Sequence, residues 1–274
     1  TTERALSPTA ISIADYVLNP YAGCDYGCFY CYATLNSSYK KKYKKYGGPF
    51  VEIKENFMDR AITELEGKNP SHVLIGSTTE VYQHCEKEHA VMPLVLQELN
   101  KRNISYTILT KSDLIVRDMT LIQQNPRNNV YVTVNTLNEH MRRNYEPYAS
   151  AVEARKKTIK KLHAAGIAVI VHVGPYLPLI SDEEALIACF ANQCQLLEFE
   201  SLNLKMAQKT RFLNVIRAIN KESYDIIRTT YSSPENHEHY YRELKEKTLK
   251  LGRQHSLGIK HFFYPVDSFY DNTI

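Results

Sequence analysis

The sequence predicts an α/β fold on a parallel sheet, and three observations carry that prediction. Apolar runs of strand length alternate with segments of helical spacing over most of the chain. Each strand, helix, strand repeat sets its two strands parallel, because the crossover is right-handed. At 274 residues the chain is long enough for one barrel-like α/β domain or two small domains, with a sizeable core in either case.

Taken in order, residues 11–18 read as a short strand running into a loop over 19–33. The stretch Tyr39-Lys40-Lys41-Lys42-Tyr43-Lys44-Lys45-Tyr46 interleaves basic and aromatic side chains ahead of the breaker Gly47-Gly48-Pro49. Such a run is either a solvated helix face or a surface for an anionic partner, phosphates or an acidic leader peptide. Asn56 to Leu65 has helical spacing, and Val73-Leu74-Ile75-Gly76 is an apolar run at strand length. Tyr106 to Leu109, Val130 to Val134, Ile167 to Val173 and Leu197 to Leu204 repeat the strand signal. Met92 to Asn100, Ser112 to Gln123, Ala151 to Ala165, Asp182 to Ala191, Ala207 to Ile219 and Glu235 to Gln254 have helical patterns, with Ser112 placed as an N-cap. A final apolar piece, His261-Phe262-Phe263-Tyr264-Pro265, precedes an acidic tail. Ligands of parallel sheets sit at the carboxyl ends of the strands, and each of those ends carries polar groups here.

Composition excludes little. No apolar run reaches membrane-spanning length and the start lacks a signal-peptide core, so a cytoplasmic address without a membrane is expected. Of the 6 cysteines, three share the 19–33 loop, while Cys85, Cys189 and Cys194 are scattered, a pattern for reduced thiols and not a disulfide framework. A net charge of +4 does not by itself argue for nucleic acid. The 20 tyrosines with no tryptophan are unusual; they can stack on bases, line a peptide groove or reflect host composition.

Chemistry concentrates in the loop. Cys24, Cys28 and Cys31 stand at C-x3-C-x2-C spacing among Gly23, Asp25, Gly27 and flanking tyrosines, a loop composition and not an apolar core face. Three thiolates that close imply a shared metal. Structural zinc wants four protein ligands, and no second cysteine pair follows at finger spacing. Iron fits better: a four-iron cluster on three thiolates leaves one iron open to N and O atoms of a ligand.

This loop, with an aromatic before its last cysteine, resembles the signature of the radical S-adenosylmethionine (SAM) superfamily, and Asn19-Pro20-Tyr21 with Tyr30-Cys31-Tyr32-Ala33 is similar to its spore photoproduct lyase-like branch. The resemblance spans about residues 10–205 and implies a partial (β/α)6 TIM-like barrel with parallel strands. It implies one radical SAM domain over 1–274, with substrate-facing elements over about 206–274. It further implies a [4Fe-4S] cluster on Cys24, Cys28 and Cys31, SAM on the open iron, and a 5′-deoxyadenosyl radical that takes hydrogen from the substrate. An external electron donor such as flavodoxin is implied with it. Gly76-Ser77-Thr78-Thr79-Glu80-Val81-Tyr82-Gln83 is similar to the branch's Gly-Thr-x-Thr-Asp-Pro-Tyr-Gln stretch. Gly76, Ser77, Thr79, Lys111, Thr133 and Asn135 are then the implied SAM contacts, with Lys111 facing the SAM carboxylate and Tyr30 packing on the adenine. Tyr32 is the implied radical relay, and Glu80 a catalytic polar contact to SAM or substrate. Glu146 and Arg155 read as a structural ion pair, and His172 as a satisfied core histidine.

For substrate, the resemblance leaves two classes. The branch's namesake repairs a DNA photolesion and returns a hydrogen through a cysteine thiol, but that position is Ser77 here, and an alkyl hydroxyl holds its hydrogen too tightly. Relatives that act as spliceases excise tyramine from a Tyr-Gly step of a ribosomally made precursor peptide and leave a β-amino acid. The expected substrate is therefore such a peptide, with a small leader-binding partner subunit; nucleic acid is the alternative. A cluster-bearing electron carrier is the third reading, opposed by SAM-pocket motifs at four strand ends.

Overall fold

The computed structural model describes residues 2–205 and 208–264. Its first segments are β1 (Leu6–Pro8), β2 (Tyr16–Leu18) and β3 (Tyr21–Gly23), then a 3-10 turn at Tyr32–Leu35, α1 (Ser37–Tyr46), β4 (Val51–Ile53) and α2 (Phe57–Lys68). The βα repeats follow: β5 (His72–Ile75), α3 (Glu86–His89), α4 (Val91–Lys101), β6 (Ser105–Thr110), a 3-10 segment at Asp113–Asp118, α5 (Met119–Ile122) and β7 (Asn129–Thr133). Next come α6 (Glu139–Tyr145), α7 (Val152–Ala164), β8 (Ala168–Val173), α8 (Glu183–Phe190), β9 (Leu196–Glu200), α9 (Lys209–Ile219), α10 (Lys221–Thr230), α11 (Pro234–Gln254) and β10 (Gly258–Phe262).

The main sheet has 8 strands in the order β1, β2, β5, β6, β7, β8, β9, β10. From β2 to β10 every pairing is parallel, and β1 closes one edge antiparallel to β2. The six expected strands are thus β2 and β5 to β9, laid side by side in chain order, as a partial TIM-like barrel requires. β10 extends the parallel run beyond them. Only a terminal apolar piece was expected there, and Pro265 with the acidic tail lies outside the described residues.

Several boundaries differ for local reasons. The first strand shrinks to Tyr16–Leu18 because the Asp15 carboxylate takes the backbone N–H of Ser71 and His72, fixing a turn before it. The helix expected over Ser112–Gln123 is a 3-10 segment followed by one α turn: Ser112 caps Leu114 at 3.2 Å, and Arg117 folds onto Asp118 and Glu86. The strand expected to reach Leu204 stops at Glu200, after which Ser201 N–H bonds the Phe262 carbonyl. The helix expected from Ala207 starts at Lys209, and Ala207 itself lies outside the described residues. The basic run is a helix, α1, with no buried residue. The β3–β4 ribbon and α6 carry no clear periodic signal.

Side chains alternate across each strand, and the two faces differ in kind. Val130, Val132, Val169, Val171, Val173, Leu197 and Phe199 join one apolar cluster with Ile159 and Leu162 of α7 and Leu186, Ile187 and Phe190 of α8. The alternate positions carry Thr107, Tyr131, Thr133, His172, Glu198, Glu200 and Lys260, making the inner face polar. That inner face, at the carboxyl ends of the strands, is where a site can be built. Among the described residues no helix is long and apolar enough to cross a membrane.

Gly252 lets α11 lie directly on β10: a Cβ there would come 2.4 Å from Ile259 Cγ1 and 2.8 Å from the Leu257 carbonyl. Gly252→Ala gains roughly 1 kcal/mol of helix propensity, but overpacking costs about 1–3 kcal/mol. The expected outcome is a lower thermal midpoint by calorimetry; an unchanged or raised midpoint would show that α11 shifts without strain.

Candidate active site

The cysteine loop leaves β3 through Gly23, whose φ of +84° and contact with Phe50, 2.2 Å from a built Cβ to the Phe50 carbonyl, leave room for glycine alone. All three loop cysteines are free thiols and none is fully exposed. Loop and strand end are stitched together: the Thr79 hydroxyl donates to the Gly23 carbonyl, and Asp25 N–H donates to Gln83 Oε1 at 3.0 Å. On its far side Phe29 N–H reaches the Tyr145 carbonyl at 3.0 Å, tying the loop to α6. Burial raises the pKa of all three thiols; Cys28 is pushed up to about 12 by burial and by the Glu146 charge.

Gly76 (φ +86°) turns the chain at the end of β5, where a Cβ would lie 2.6 Å from the Leu109 carbonyl. Glu80 bridges to the next strand. Its Oε1 accepts from Thr110 Oγ1 at 2.7 Å and Tyr82 N–H at 2.9 Å, and its Oε2 from Lys111 N–H at 2.6 Å. Lys111 is thereby held over the Tyr30 ring, Nζ 5.8 Å from its centroid, and makes no ion pair among the described residues. Burial works against its ammonium, but the charges of Cys28, Glu146 and Glu80 outweigh burial and raise its pKa.

Beneath the loop lies a buried pair, Arg155 and Glu146, 1% and 0% exposed. Arg155 also donates to the Thr133 carbonyl at 3.0 Å and the Ser150 carbonyl at 2.8 Å. Tyr30 gives its hydroxyl to Glu146 Oε1, while Asn135 Nδ2 donates to that hydroxyl at 3.1 Å and to Glu146 at 3.2 Å. The other amide atom, Asn135 Oδ1, is buried with no hydrogen-bond partner among the described residues. A buried acceptor left so costs about 1–3 kcal/mol, and an N–H or O–H of a bound ligand would relieve it. Ser77 and Thr133 are buried beside these groups, and Tyr32, 41% exposed, donates its hydroxyl to the Ser77 carbonyl.

The residues expected at the site thus come together from the ends of β3, β5, β6 and β7. Their chemistry fits a sulfur-ligated cluster. Burial opposes the charge of all three thiols, and Glu146 opposes that of Cys28 as well, so they ionise only against a strong local cation; among the described residues no group of three His, Cys, Asp or Glu side chains is set to hold a single metal ion. A cubane does not need that convergence, since its corners are separate irons.

Charges that the sequence reading missed line the inner face on the β8 to β10 side. His172, 8% exposed, lies 3.2 Å from Glu198 and 2.9 Å from Glu200, and Lys260 pairs with Glu198 at 3.0 Å. Glu200 also accepts from the Tyr264 hydroxyl. The signal was present: Glu198 and Glu200 alternate with Phe199 on a strand beside a histidine.

A sequence profile described as the Radical SAM superfamily matches residues 18–188. An uncharacterized protein of Methanocaldococcus jannaschii is 32% identical over 228 residues, 82% of this chain and 84% of that one. An uncharacterized protein of Mycobacterium tuberculosis is 32% identical over 178 residues, 61% of this chain, and the match spans about half, 51%, of that relative. Spore photoproduct lyase complexed with dinucleoside spore photoproduct superposes with a TM-score of 0.64 at 14% identity, covering 94% of this chain and 79% of that one. Streptococcus suis SuiB bound to S-adenosylmethionine superposes at 0.58 and 14% identity, covering 93% of this chain and 48% of that one; SuiB bound to precursor peptide SuiA is also similar. At such identities the superpositions speak for the fold.

The inner-face histidine gives a pH test. Burial alone would lower its pKa, but the facing carboxylates of Glu198 and Glu200 outweigh burial and raise it to about 9. A folded pKa above the unfolded value of about 6.5 gives stability that is complete below pH 6.5 and lost as pH rises through 9. Up to about 3 kcal/mol is at stake. Urea unfolding at pH 6 and pH 9.5 should show that loss in the wild type and a smaller one in His172→Gln; equal slopes would place the proton elsewhere.

Proposed function

Since the chain belongs to the radical SAM superfamily, we propose that its cysteine loop and strand ends serve hydrogen abstraction from a peptide. It is an enzyme of the radical SAM type, and the family's cofactors are a [4Fe-4S] cluster and S-adenosyl-L-methionine. When bound, these supply a 5′-deoxyadenosyl radical by one-electron cleavage of SAM. The observation that carries the site assignment is three free cysteines beside a buried ammonium that has no ion-pair partner among the described residues.

Cys24, Cys28 and Cys31 would hold the cluster. Lys111 would hold the SAM carboxylate, because its ammonium stays charged in a buried place. Asn135 Oδ1 would accept a hydrogen bond from SAM, and Gly76, Ser77, Thr79 and Thr133 would wall the pocket. Tyr30 and Glu80 act as positioning residues: both acidic oxygens of Glu80 serve Thr110, Tyr82 and Lys111, and the Tyr30 hydroxyl serves Glu146. The catalytic contact to SAM or substrate expected of Glu80 would have to share those oxygens. Tyr32 keeps an exposed ring at the mouth and would serve as relay.

A peptide substrate is supported by what surrounds Tyr32. Its hydroxyl donates to the carbonyl of Ser77, the residue that stands where the branch's returning thiol would be, while Cys85 precedes α3, Cys189 lies on α8 and Cys194 precedes β9. The seryl hydroxyl at that place holds its hydrogen too tightly to return it to a carbon radical. We read the reaction as splicease-like, excising tyramine from a Tyr-Gly step to leave a β-amino acid, with a small leader-binding subunit as partner. Residues 206–274 would supply substrate-facing elements of a single domain, and free cysteines fit a cytoplasmic address. A photolesion repair lyase is the second reading, favoured by the 79% coverage of spore photoproduct lyase in its dinucleoside complex.

Cys28→Ala should abolish both the brown colour of anaerobically reconstituted protein and 5′-deoxyadenosine release; retention of both would refute the cluster assignment. Incubating the loaded enzyme with Tyr-Gly peptides and, separately, with dinucleoside spore photoproduct should give a loss of the tyramine mass from peptide only. Repair of the dinucleoside with intact peptide would reverse the assignment.

A further inference from the structure

The helix α1 has no role in the site above, yet it is the most strongly charged surface near it. Over Ser37–Tyr46 it carries five lysines and no acid, and none of its residues is buried. Lys42 is paired with Glu52 of β4 at 2.5 Å, whereas exposed Lys40, Lys41, Lys44 and Lys45 make no ion pair among the described residues. Lys40 and Lys44, and Lys41 and Lys45, are i,i+4 neighbours of like charge, and each pair disfavours the helix. Lys44 and Lys45 favour the helix C-terminus through its dipole, but Lys40 and Lys41 lie in the N-terminal half, where cations are disfavoured. The local sequence therefore works against the isolated helix, and an apposed anionic surface would relieve it.

The helix is also fastened to the cysteine loop. Tyr39 packs on Phe50 with centroids 5.0 Å apart, Tyr46 packs on the same ring at 5.4 Å, and Tyr39 stacks on Tyr43 at 6.1 Å. Phe50 in turn abuts Gly23, the residue before Cys24, and β4 pairs Val51 with Gly23. Lysines outside, aromatic rings between and thiols inside form one short path. The polar inner face of β8 to β10, where a substrate would lie, is built on the far strands of the sheet.

We propose that the Lys40, Lys41, Lys44 and Lys45 face of α1 is the docking surface for an acidic, low-potential flavoprotein that delivers the electron. The proposal rests on the cluster assignment. One electron leaves the reduced flavin, which is oxidised by one unit, and the cluster is reduced by one; no proton or group is transferred. An acidic leader peptide has the same charge, but the aromatic path leads from α1 to the cysteine loop and not to the inner face.

The test uses the full-length, cluster-loaded protein with purified flavodoxin as probe. Reversal of Lys40, Lys41, Lys44 and Lys45 to Glu should weaken flavodoxin binding in calorimetry by on the order of tenfold or more and flatten its salt dependence. Bleaching of the cluster by reduced flavodoxin should slow in step, while bleaching by dithionite stays as in the wild type. Lys157, Lys160 and Lys161 of α7, also exposed, provide the control: their reversal should leave flavodoxin binding intact. Unchanged affinity in the α1 variant, equal weakening in the α7 variant, or loss of an acidic poly-glutamate peptide but not of flavodoxin would each overturn the proposal. Normal dithionite bleaching in an α1 variant that still binds flavodoxin would sink the dock and leave the cluster assignment standing.

Discussion

The geometry of the mouth depends on one buried ion pair. Glu146 and Arg155 come from the end of α6 and from α7, and together they reach β7 through the Thr133 carbonyl and the cysteine loop through Tyr30. A buried pair of this kind contributes little net stability, because desolvation offsets attraction, yet losing one partner costs about 3–5 kcal/mol. Its value here is directional. Arg155 also donates to the backbone carbonyls of Ser150 and Thr133, and the second oxygen of Glu146 accepts from Tyr30 and Asn135. That leaves Asn135 with one unused acceptor and Lys111 with an attractive field but no ion-pair partner among the described residues.

Much of this was legible in the sequence because it is local. The cysteine spacing needs no fold to be read, and the βα alternation fixes strand order once crossovers are right-handed. Strand ends then follow, and with them Gly76, Lys111 and Thr133. What escaped depends on distant pairing. Residues 21–23 and 51–53 form a two-strand ribbon across an intervening helix, and neither segment is long enough to show a period. Glu80 was placed by its motif, but that its two oxygens bond Thr110, Tyr82 and Lys111 depends on the pairing of β5 with β6. His172 was read as a satisfied core residue; its partners, Glu198 and Glu200, lie on the next strand, and only register makes them neighbours.

The two faces of the sheet divide the work. Helix-facing positions are almost wholly aliphatic and give the rigid shell. Inward positions hold opposite charges in contact, His172 and Lys260 against Glu198 and Glu200, so the interior is polar without a large net field. An interior of that kind tolerates a ligand with hydrogen-bonding groups along its length, where an apolar barrel would expel it.

The sheet ends at β1 on one side and β10 on the other, and the two do not pair. A closed eight-stranded ring is a well, which limits its guest to what can be lowered in from above. Among the described residues the strands close no such ring. For the peptide substrate proposed above, one unit would then meet the chemistry while the ends of the chain stay outside, whatever their length.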